Sequence, residues 1–407
     1  MLKNLSSNLI VFGGLNAVKS LIPILMLPIL TAQLTVDEFG TLALIDSVIL
    51  FLVPLVMIGI SSSASVFYHK LDAENYSSYV CNALFIAFIS FFCFSILSLI
   101  FKNQLNQFFG FQGYIVCFLA FFAILRGYSA TVLAILQTSQ ALKIYTVLVV
   151  LQSLVDIIIS YVAVVIFTQG MIGRLFGIYI AFALSSLVGI SYLRKKGYLG
   201  EFNIKFSSDI INFGIPLIPH AICGTIMAMA DRLFIAHYLG NEHIAGYVVA
   251  YQMAAIMLLF GTSINQAWTP IYFGMMRRSQ SHKIKQAKFA LMIIICASGG
   301  TIYFFMDFLF SLFVAEKLWF AKEYFPLMLL GFIFQSIYFI FVNYFFYTRQ
   351  TKYIATLTML GASINLLLNY MLIQSHGVMG VAYANSITWG LFLLIVVISS
   401  NIDNRLK

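Results

Sequence analysis

Long runs of apolar residues alternate along this chain with short polar gaps. A helix that crosses the hydrocarbon core of a bilayer, roughly 30 Å thick, needs about 20 such residues in a row. Measured against that length, the sequence predicts twelve transmembrane helices. The predicted spans are Leu9–Gln33, Phe39–Phe67, Tyr79–Phe101, Gly113–Gln137, Lys143–Phe167, Met171–Leu193, Ile210–Leu239, Ile244–Met275, Lys285–Phe313, Tyr324–Thr348, Thr351–Gln374 and Val378–Ser400.

The overall composition supports a membrane protein. Of the 407 residues, 61% are hydrophobic and only 9% are charged, whereas soluble domains are about 25% charged. A soluble fold could not hide so much apolar surface, so soluble enzymes and nucleic-acid binders are excluded. The five cysteines all lie in apolar runs without metal-site spacing, so we interpret them as packing residues and expect no metal and no cofactor.

The basic residues are distributed unevenly between the predicted gaps. One alternate set of gaps, which includes both termini, holds sixteen of the 23 Lys and Arg residues, and the other set holds four. Positive residues concentrate on the cytoplasmic side of membrane proteins, so both termini are predicted to be cytoplasmic. The net charge of +9 is thereby mostly a topology signal rather than the sign of a nucleic-acid partner.

The two halves of the sequence resemble each other. A segment from Leu151 aligns with one from Leu360 at a shift of 209 residues, which places Asp156 on Asn365. Each copy holds six predicted helices, so both copies enter the membrane in the same direction and form two lobes related by an axis along the membrane normal. We predict an N-terminal lobe of residues 1–194, a cytoplasmic linker of residues 195–209 and a C-terminal lobe of residues 210–407.

Six ionisable residues fall inside predicted spans, where each costs roughly 2.5 to 3.5 kcal/mol on insertion scales unless it faces a partner or a watery cavity. The six are Lys19, Asp46, Arg126, Asp156, Asp231 and Arg232. In one interpretation they form internal salt bridges that fix helix packing. In the other, the cations Lys19, Arg126 and Arg232 bind an anionic substrate, and the carboxylates take part in coupling to an ion or a proton.

Weaker candidates accompany these charges. His220 follows Pro219 in the seventh span. Its imidazole could line a cavity, and the alternative is a structural role as a neutral histidine that is hydrogen-bonded across helices. The repeat places three polar residues of the C-terminal half opposite charged ones, which makes them candidates for lining the same cavity. They are Gln252, Gln335 and Asn365. Arg174 lies close enough to a span end to reach the interface by extending its side chain, and we assign it no role.

The seventh span and its flanks resemble a known family. The stretch FGIPLIPHAICGTIMAMADRLFIAHYLGNEHIAGYVVAY has paired prolines, an Asp-Arg pair, then Leu-Gly and Gly-Tyr, and LIPILMLPILTAQLTVDEFGTL is similar to the family's first helix. These features are similar to those of polysaccharide transporters in the multidrug/oligosaccharidyl-lipid/polysaccharide (MOP) exporter superfamily. Within it, the chain resembles the flippases of O-antigen and capsule repeat units.

The resemblance implies a fold and an activity. The expected fold is an all-α, V-shaped alternating-access transporter of twelve helices. The implied activity is movement of an undecaprenyl-diphosphate-linked oligosaccharide from the cytoplasmic to the outer leaflet of the bacterial inner membrane, driven by a proton or sodium gradient. Basic cavity residues would hold the diphosphate, a role carried over to Lys19 and Arg126 by position. Implied partners are membrane lipids, a polysaccharide polymerase and glycosyltransferases.

Two alternatives remain at this point. The first is a multidrug antiporter of the same superfamily, which would favour cationic substrates and an acidic cavity. The second is a membrane enzyme such as an oligosaccharide polymerase or ligase. Such enzymes need a sizeable external loop with catalytic residues, and the external gaps near residues 102–112 and 314–323 are short.

Overall fold

The computed structural model shows a protein built from α-helices, as the hydropathy pattern predicts. It describes the backbone of residues 21–406 and the side chains of residues 21–350 and 353–400. We number its helices in chain order: α1 Leu21–Gln33, α2 Val36–Met57, α3 Ile60–Phe67, α4 Ala73–Ile100, α5 Lys102–Phe109, α6 Ile115–Thr138, α7 Leu142–Tyr161, α8 Gly170–Lys195, α9 Lys205–Gly214, α10 Leu217–Leu239, α11 Glu242–Arg277, α12 Ser281–Phe304, α13 Met306–Phe313, α14 Phe325–Tyr347 and α15 Thr351–Leu406. Val162–Ile166 is a π-helical turn after α7, and Glu316–Glu323 is a 3₁₀ helix before α14.

Local sequence signals set several of the helix ends. Thr35 caps α2 in a capping box, in which its hydroxyl accepts from the Glu38 backbone N–H and the Glu38 carboxylate accepts from the Thr35 N–H. This reciprocal arrangement satisfies donors that a helix start leaves free. At the other end, Ile58 and Gly59 both take the left-handed conformation just after Pro54. The chain thereby breaks between α2 and α3 within one predicted span.

The described residues contain ten helices that are long and apolar enough to cross a membrane. Two of these ten, Lys205–Leu239 and Tyr353–Ser400, each contain a break that divides them into two helical segments. Residues 215–216 separate α9 from α10, and Gly377 in α15 has non-helical angles, φ 57° and ψ −138°. The break at Gly377 falls between the last two predicted spans. The count of twelve transmembrane helices stays a prediction, because part of the first predicted span lies outside the described residues.

The contacts divide the described chain into two compact units. Unit 1 comprises residues 21–22 and Gln33–Thr225, and unit 2 comprises Pro23–Ala32 and residues 226–406. The division by contacts therefore assigns α9 and the first half of α10 to unit 1. The predicted lobes of residues 1–194 and 210–407 stay a prediction about the arrangement of the chain in the membrane.

The segment predicted as a linker, residues 195–209, packs against α4 within unit 1. The Gly200 N–H donates to the Ser77 carbonyl at 3.1 Å. The buried side chain of Asn82 pairs with the backbone of Asn203 in both directions, donating to its carbonyl and accepting from its N–H. These bonds give both polar atoms of a buried amide a partner, so the linker is held in place by residues far away in sequence.

Candidate functional site

The first pair of intramembrane charges in unit 1 joins α2 to α6. An Arg126 guanidinium nitrogen lies 2.6 Å from the Asp46 carboxylate, and the two side chains are 27% and 42% exposed. The guanidinium also lies near the ring of Phe182 on α8, 5.7 Å from its centroid. Arg126 and Asp46 are therefore partners, yet their partial exposure leaves the guanidinium accessible to a further anion.

The second pair in unit 1 is more deeply buried. The Arg174 guanidinium on α8 forms an ion pair with the Asp156 carboxylate on α7, and these side chains are 7% and 15% exposed. The Ser160 hydroxyl joins them, because it accepts from Arg174 at 2.6 Å and donates to Asp156 at 3.1 Å. The expectation that Arg174 reaches the interface is wrong. Its side chain points into the unit, where the carboxylate compensates its charge.

Glycines on α8 allow the close approach that this pair needs. A Cβ on Gly177 would collide with Ser160, and one on Gly173 would lie 3.0 Å from backbone atoms of Ala163. Ala163 belongs to the π-helical turn that follows α7, a type of irregularity that is frequent at functional sites. The small residues bring α7 and α8 together at the height of Arg174, so Asp156 and Ser160 can both reach its guanidinium.

Unit 2 surrounds its intramembrane carboxylate differently. Asp231 on α10 is 1% exposed and accepts hydrogen bonds from the Tyr247 hydroxyl, from the Asn369 amide at 2.8 Å and from the Asn385 amide at 3.1 Å. Asn369 also donates to Asn365 at 3.0 Å. All of these donors are neutral, and among the described residues no Lys, Arg or His forms an ion pair with Asp231. Among the described residues, neutral hydrogen-bond donors therefore surround the carboxylate, and the adjacent Arg232 acts on its charge without a direct ion pair.

Arg232, the next residue in α10, is a buried cation without a carboxylate partner among the described side chains. Its residue is 5% exposed, and its guanidinium contacts the Met229 sulfur and lies 4.9 Å from the Tyr251 ring centroid. The Nε–H is buried and has no hydrogen-bond partner. A thioether and an aromatic face are weak partners for a guanidinium, so this side chain keeps donors available for an anion.

The other residues singled out from the sequence differ in burial and in hydrogen bonding. Lys19 falls outside the described residues. His220 is exposed, and Gln335 is partly buried. The Gln252 side-chain oxygen is buried without a hydrogen-bond partner. Asn365 is 1% exposed and belongs to the hydrogen-bond network around Asp231.

Sequence reasoning missed several members of the two clusters. Arg174 was set aside, and Tyr247, Asn369 and Asn385 were not singled out. A usable signal was present for one of them, because Asn369 follows Asn365 by four residues and therefore lies on the same face of the helix. The repeat was informative as well, since Asp156 and Asn365 both belong to the buried polar cluster of their own unit.

Comparison with known families and proteins bears on this arrangement. Residues 5–276 match the family described as "Polysaccharide biosynthesis protein", and residues 216–371 match the family MatE. A membrane protein of Haemophilus influenzae without an assigned role is 25% identical over 374 residues, with 88% of each chain covered. A protein of the Lsg locus of the same organism is 24% identical over 157 residues, and the match spans 39% of its length.

The solved structures that are similar to this chain show the same fold. An inward-facing multidrug resistance MATE transporter of the MOP superfamily has a TM-score of 0.77 at 15% identity, with 94% of each chain covered. The lipid II flippase MurJ, in an inward closed conformation, has a TM-score of 0.75 at 17% identity, covering 96% of this chain and 87% of that one.

Fold, spans and family together define the class of protein. It is a helical, multi-pass membrane protein with the fold of the MATE transporter and MurJ structures. Because the first family match covers well over half of its length, the chain belongs to the polysaccharide biosynthesis protein family. The resemblance deduced from the sequence is thereby confirmed.

Proposed function

We propose that this protein is a flippase for lipid-linked oligosaccharides. It moves an undecaprenyl-diphosphate-linked repeat unit, of O-antigen or another polysaccharide, from the cytoplasmic to the outer leaflet of the bacterial inner membrane by ion-coupled alternating access. Membership in the polysaccharide biosynthesis family supports this substrate class. The distribution of basic residues supports cytoplasmic termini. A polysaccharide polymerase and glycosyltransferases are the expected partners, because they consume and supply such lipids.

The observation that carries the proposal is the state of Arg232. A buried guanidinium without a carboxylate is costly in a membrane protein, and such residues mark substrate or ion pathways. A diphosphate offers charged acceptor oxygens in pairs that the planar guanidinium binds through charge-assisted and bidentate hydrogen bonds. In this proposal, the substrate supplies the direct anionic partner that Arg232 lacks among the described residues, because the carboxylate of the adjacent Asp231 is engaged by Tyr247, Asn369 and Asn385.

Two further cations join Arg232 in the proposed substrate set. Arg126 is held by Asp46 but remains 27% exposed, so it can share its guanidinium with a second anion. Lys19 keeps the role that the family resemblance implies. Aromatic rings such as Tyr251 beside Arg232 provide faces on which sugar rings stack.

The coupling ion is proposed to act at Asp231. Asp46 and Asp156 each have an arginine partner, whereas the donors to Asp231 in the described part of the chain are all neutral. The buried Asn369 side-chain oxygen beside it has no hydrogen-bond partner. A carboxylate and an amide oxygen are suitable ligands for a hard cation such as sodium, and the carboxylate alone can take up a proton. Either ion would neutralise the one buried charge in this cluster.

The experiment is a complementation assay in cells that lack the protein. We expect lipid-linked repeat units to accumulate on the cytoplasmic face, and wild-type protein to clear them. Arg232→Gln is expected to lower the rate of clearance at least tenfold, with Arg232→Lys intermediate, while Arg278→Gln at the exposed end of α11 serves as the matched control. Normal polysaccharide export in the deleted cells would refute the proposal.

A multidrug antiporter is the second candidate, and one observation favours it. Residues 216–371 match the MatE family, and this stretch contains Asp231 with two of its hydrogen-bond donors, Tyr247 and Asn369. An antiporter would use the same carboxylate to exchange a cation for a cationic drug. If deletion changed drug sensitivity but left lipid-linked sugars unaltered, the antiporter would replace the flippase as the proposed function.

A further inference from the structure

An elongated groove runs along unit 1 between α6 and α8, and we call it the α6–α8 groove. It encloses about 530 Å³, within the roughly 300–1,000 Å³ that is common for small-molecule sites. Its lining positions recur every three or four residues on both helices, so one face of each helix forms one wall. The walls include Phe118, Phe122 and Leu125 of α6 and Ile172, Phe176 and Ala183 of α8.

The dimensions of the groove match one leaflet of a bilayer. Its lining extends along α6 from Ile115 to Leu125, and ten residues of helix rise by about 15 Å. That length is half of the roughly 30 Å hydrocarbon core. Every lining residue is aliphatic or aromatic, and the hydroxyls of Tyr114 and Tyr179 are the polar side-chain atoms among them. A hydrocarbon chain fits such a lining, whereas a sugar or a phosphate does not.

A cation stands at the mouth of the groove. Tyr114 lines this end, and the Lys102 ammonium at the start of α5 lies 3.3 Å from the Tyr114 ring centroid. Among the described residues Lys102 forms no ion pair. Lysine and tyrosine at the end of a membrane helix lie where lipid headgroups are found, and a lysine near the membrane surface attracts anionic headgroups.

We propose that the α6–α8 groove binds one anionic phospholipid of the surrounding membrane, with an acyl chain in the groove and the phosphate on Lys102. The groove spans one leaflet, which suits an acyl chain better than the much longer undecaprenyl chain. One lysine also matches the single charge of a phosphodiester better than the higher charge of a diphosphate. This site is independent of the transported substrate.

The bound chain would contact the residues that position Arg126. Its inner end reaches Leu125 and Tyr179, and the Tyr179 ring stacks on Phe122 at 3.8 Å between centroids. Leu125 immediately precedes Arg126 in α6. A lipid in the groove therefore fills space between α6 and α8 beside the Asp46–Arg126 pair, and its loss would loosen that packing.

The test uses the full-length protein in phosphatidylethanolamine vesicles that contain a trace of phosphatidylglycerol with a photoactivatable acyl chain. Labelled peptides are identified by mass spectrometry. We expect labelling of α6 and α8 to exceed labelling by the matching phosphatidylcholine probe at least fivefold. Lys102→Gln should reduce this preference to below twofold, and Lys70→Gln, which also removes a lysine beside an aromatic ring, should preserve it.

A second variant tests the acyl-chain site itself. Ala183→Phe fills the groove and should reduce the labelling of α6 and α8 at least fivefold, whereas Ala297→Phe on the exposed face of α12 should not. Equal labelling by both probes in the wild-type protein, or a preference that survives Lys102→Gln, would overturn the proposal. Displacement of the label by equimolar undecaprenyl diphosphate would also overturn it, by making the substrate the occupant. Because Lys102 lies at the end of a helix, its variant decides the question even if Ala183→Phe does not fold.

Discussion

The buried Asp156–Arg174 pair allows a quantitative prediction about unit 1. Arg174→Gln removes the guanidinium and leaves the Asp156 carboxylate with one identified partner, the Ser160 hydroxyl, in a site where its side chain is 15% exposed. Breaking a buried ion pair from one side costs about 3–5 kcal/mol, because the remaining charge is uncompensated. The hydroxyl and the partial exposure favour the lower end, so we expect the free energy of unfolding to fall by about 3 kcal/mol.

The double variant separates charge compensation from ordinary packing. Asp156→Asn combined with Arg174→Gln leaves two neutral amides that can hydrogen-bond to each other and to Ser160. Replacing both members of a buried ion pair by neutral groups is often much less costly than removing one. We therefore expect the double variant to be more stable than Arg174→Gln alone, with a coupling energy of about 2 kcal/mol, within the range for contacting residues.

Arg126→Gln provides the matched control within the same unit. Its partner Asp46 is 42% exposed, against 15% for Asp156, so the carboxylate that remains is less enclosed by the protein and we expect a smaller loss of stability than for Arg174→Gln. Reversible unfolding in mixed detergent–SDS micelles measures five proteins under one condition: the wild type, Arg174→Gln, Asp156→Asn, the double variant and Arg126→Gln. If Arg174→Gln cost no more than Arg126→Gln, or if the two single effects simply added in the double variant, the assignment of a buried compensating pair would be refuted.

Three further predictions concern other parts of the molecule. Asp231→Asn should abolish the dependence of transport on the proton or sodium gradient while substrate binding persists, as measured in proteoliposomes with and without each gradient; an unchanged ion dependence would move the coupling site elsewhere. Gly177→Leu should prevent stable folding, because its side chain would collide with Ser160, whereas Gly300→Leu, whose Cβ meets open space, should give a normal yield after purification. Asn82→Ala should expose the segment after α8 to limited proteolysis, because the backbone of residue 203 loses two hydrogen bonds; equal cleavage rates in variant and wild type would contradict this.

Several features of the fold could be predicted because they depend on local composition. The span from Gly113 to Gln137 corresponds to α6, and the gap before the last span coincides with the break at Gly377. The free energy of moving a segment into hydrocarbon is nearly a sum over its residues, so a sliding count along the chain approximates it. The same free energy of transfer is unfavourable for charged side chains, which is why those inside predicted spans could be singled out from the sequence.

Other features depend on how each helix is rotated and how deeply it lies against its neighbours. Each residue turns the side-chain direction by about 100° around a helix, so hydropathy alone does not say which neighbour a charged side chain meets. The position of Arg174 near a span end predicts only that it can reach the interface. Its true partner is Asp156, reached because glycines let α7 and α8 approach closely.

The sequence by itself determined that this protein is a helical membrane protein with a few costly charges inside its spans, because transfer energies add along the chain. Only the tertiary structure decided what compensates each charge. It paired Asp46 and Asp156 with arginines, surrounded Asp231 with neutral donors and, within the described residues, left Arg232 without a direct ion pair. These outcomes rest on distances of a few ångströms between helices that are far apart in sequence, which a sum over residues does not contain.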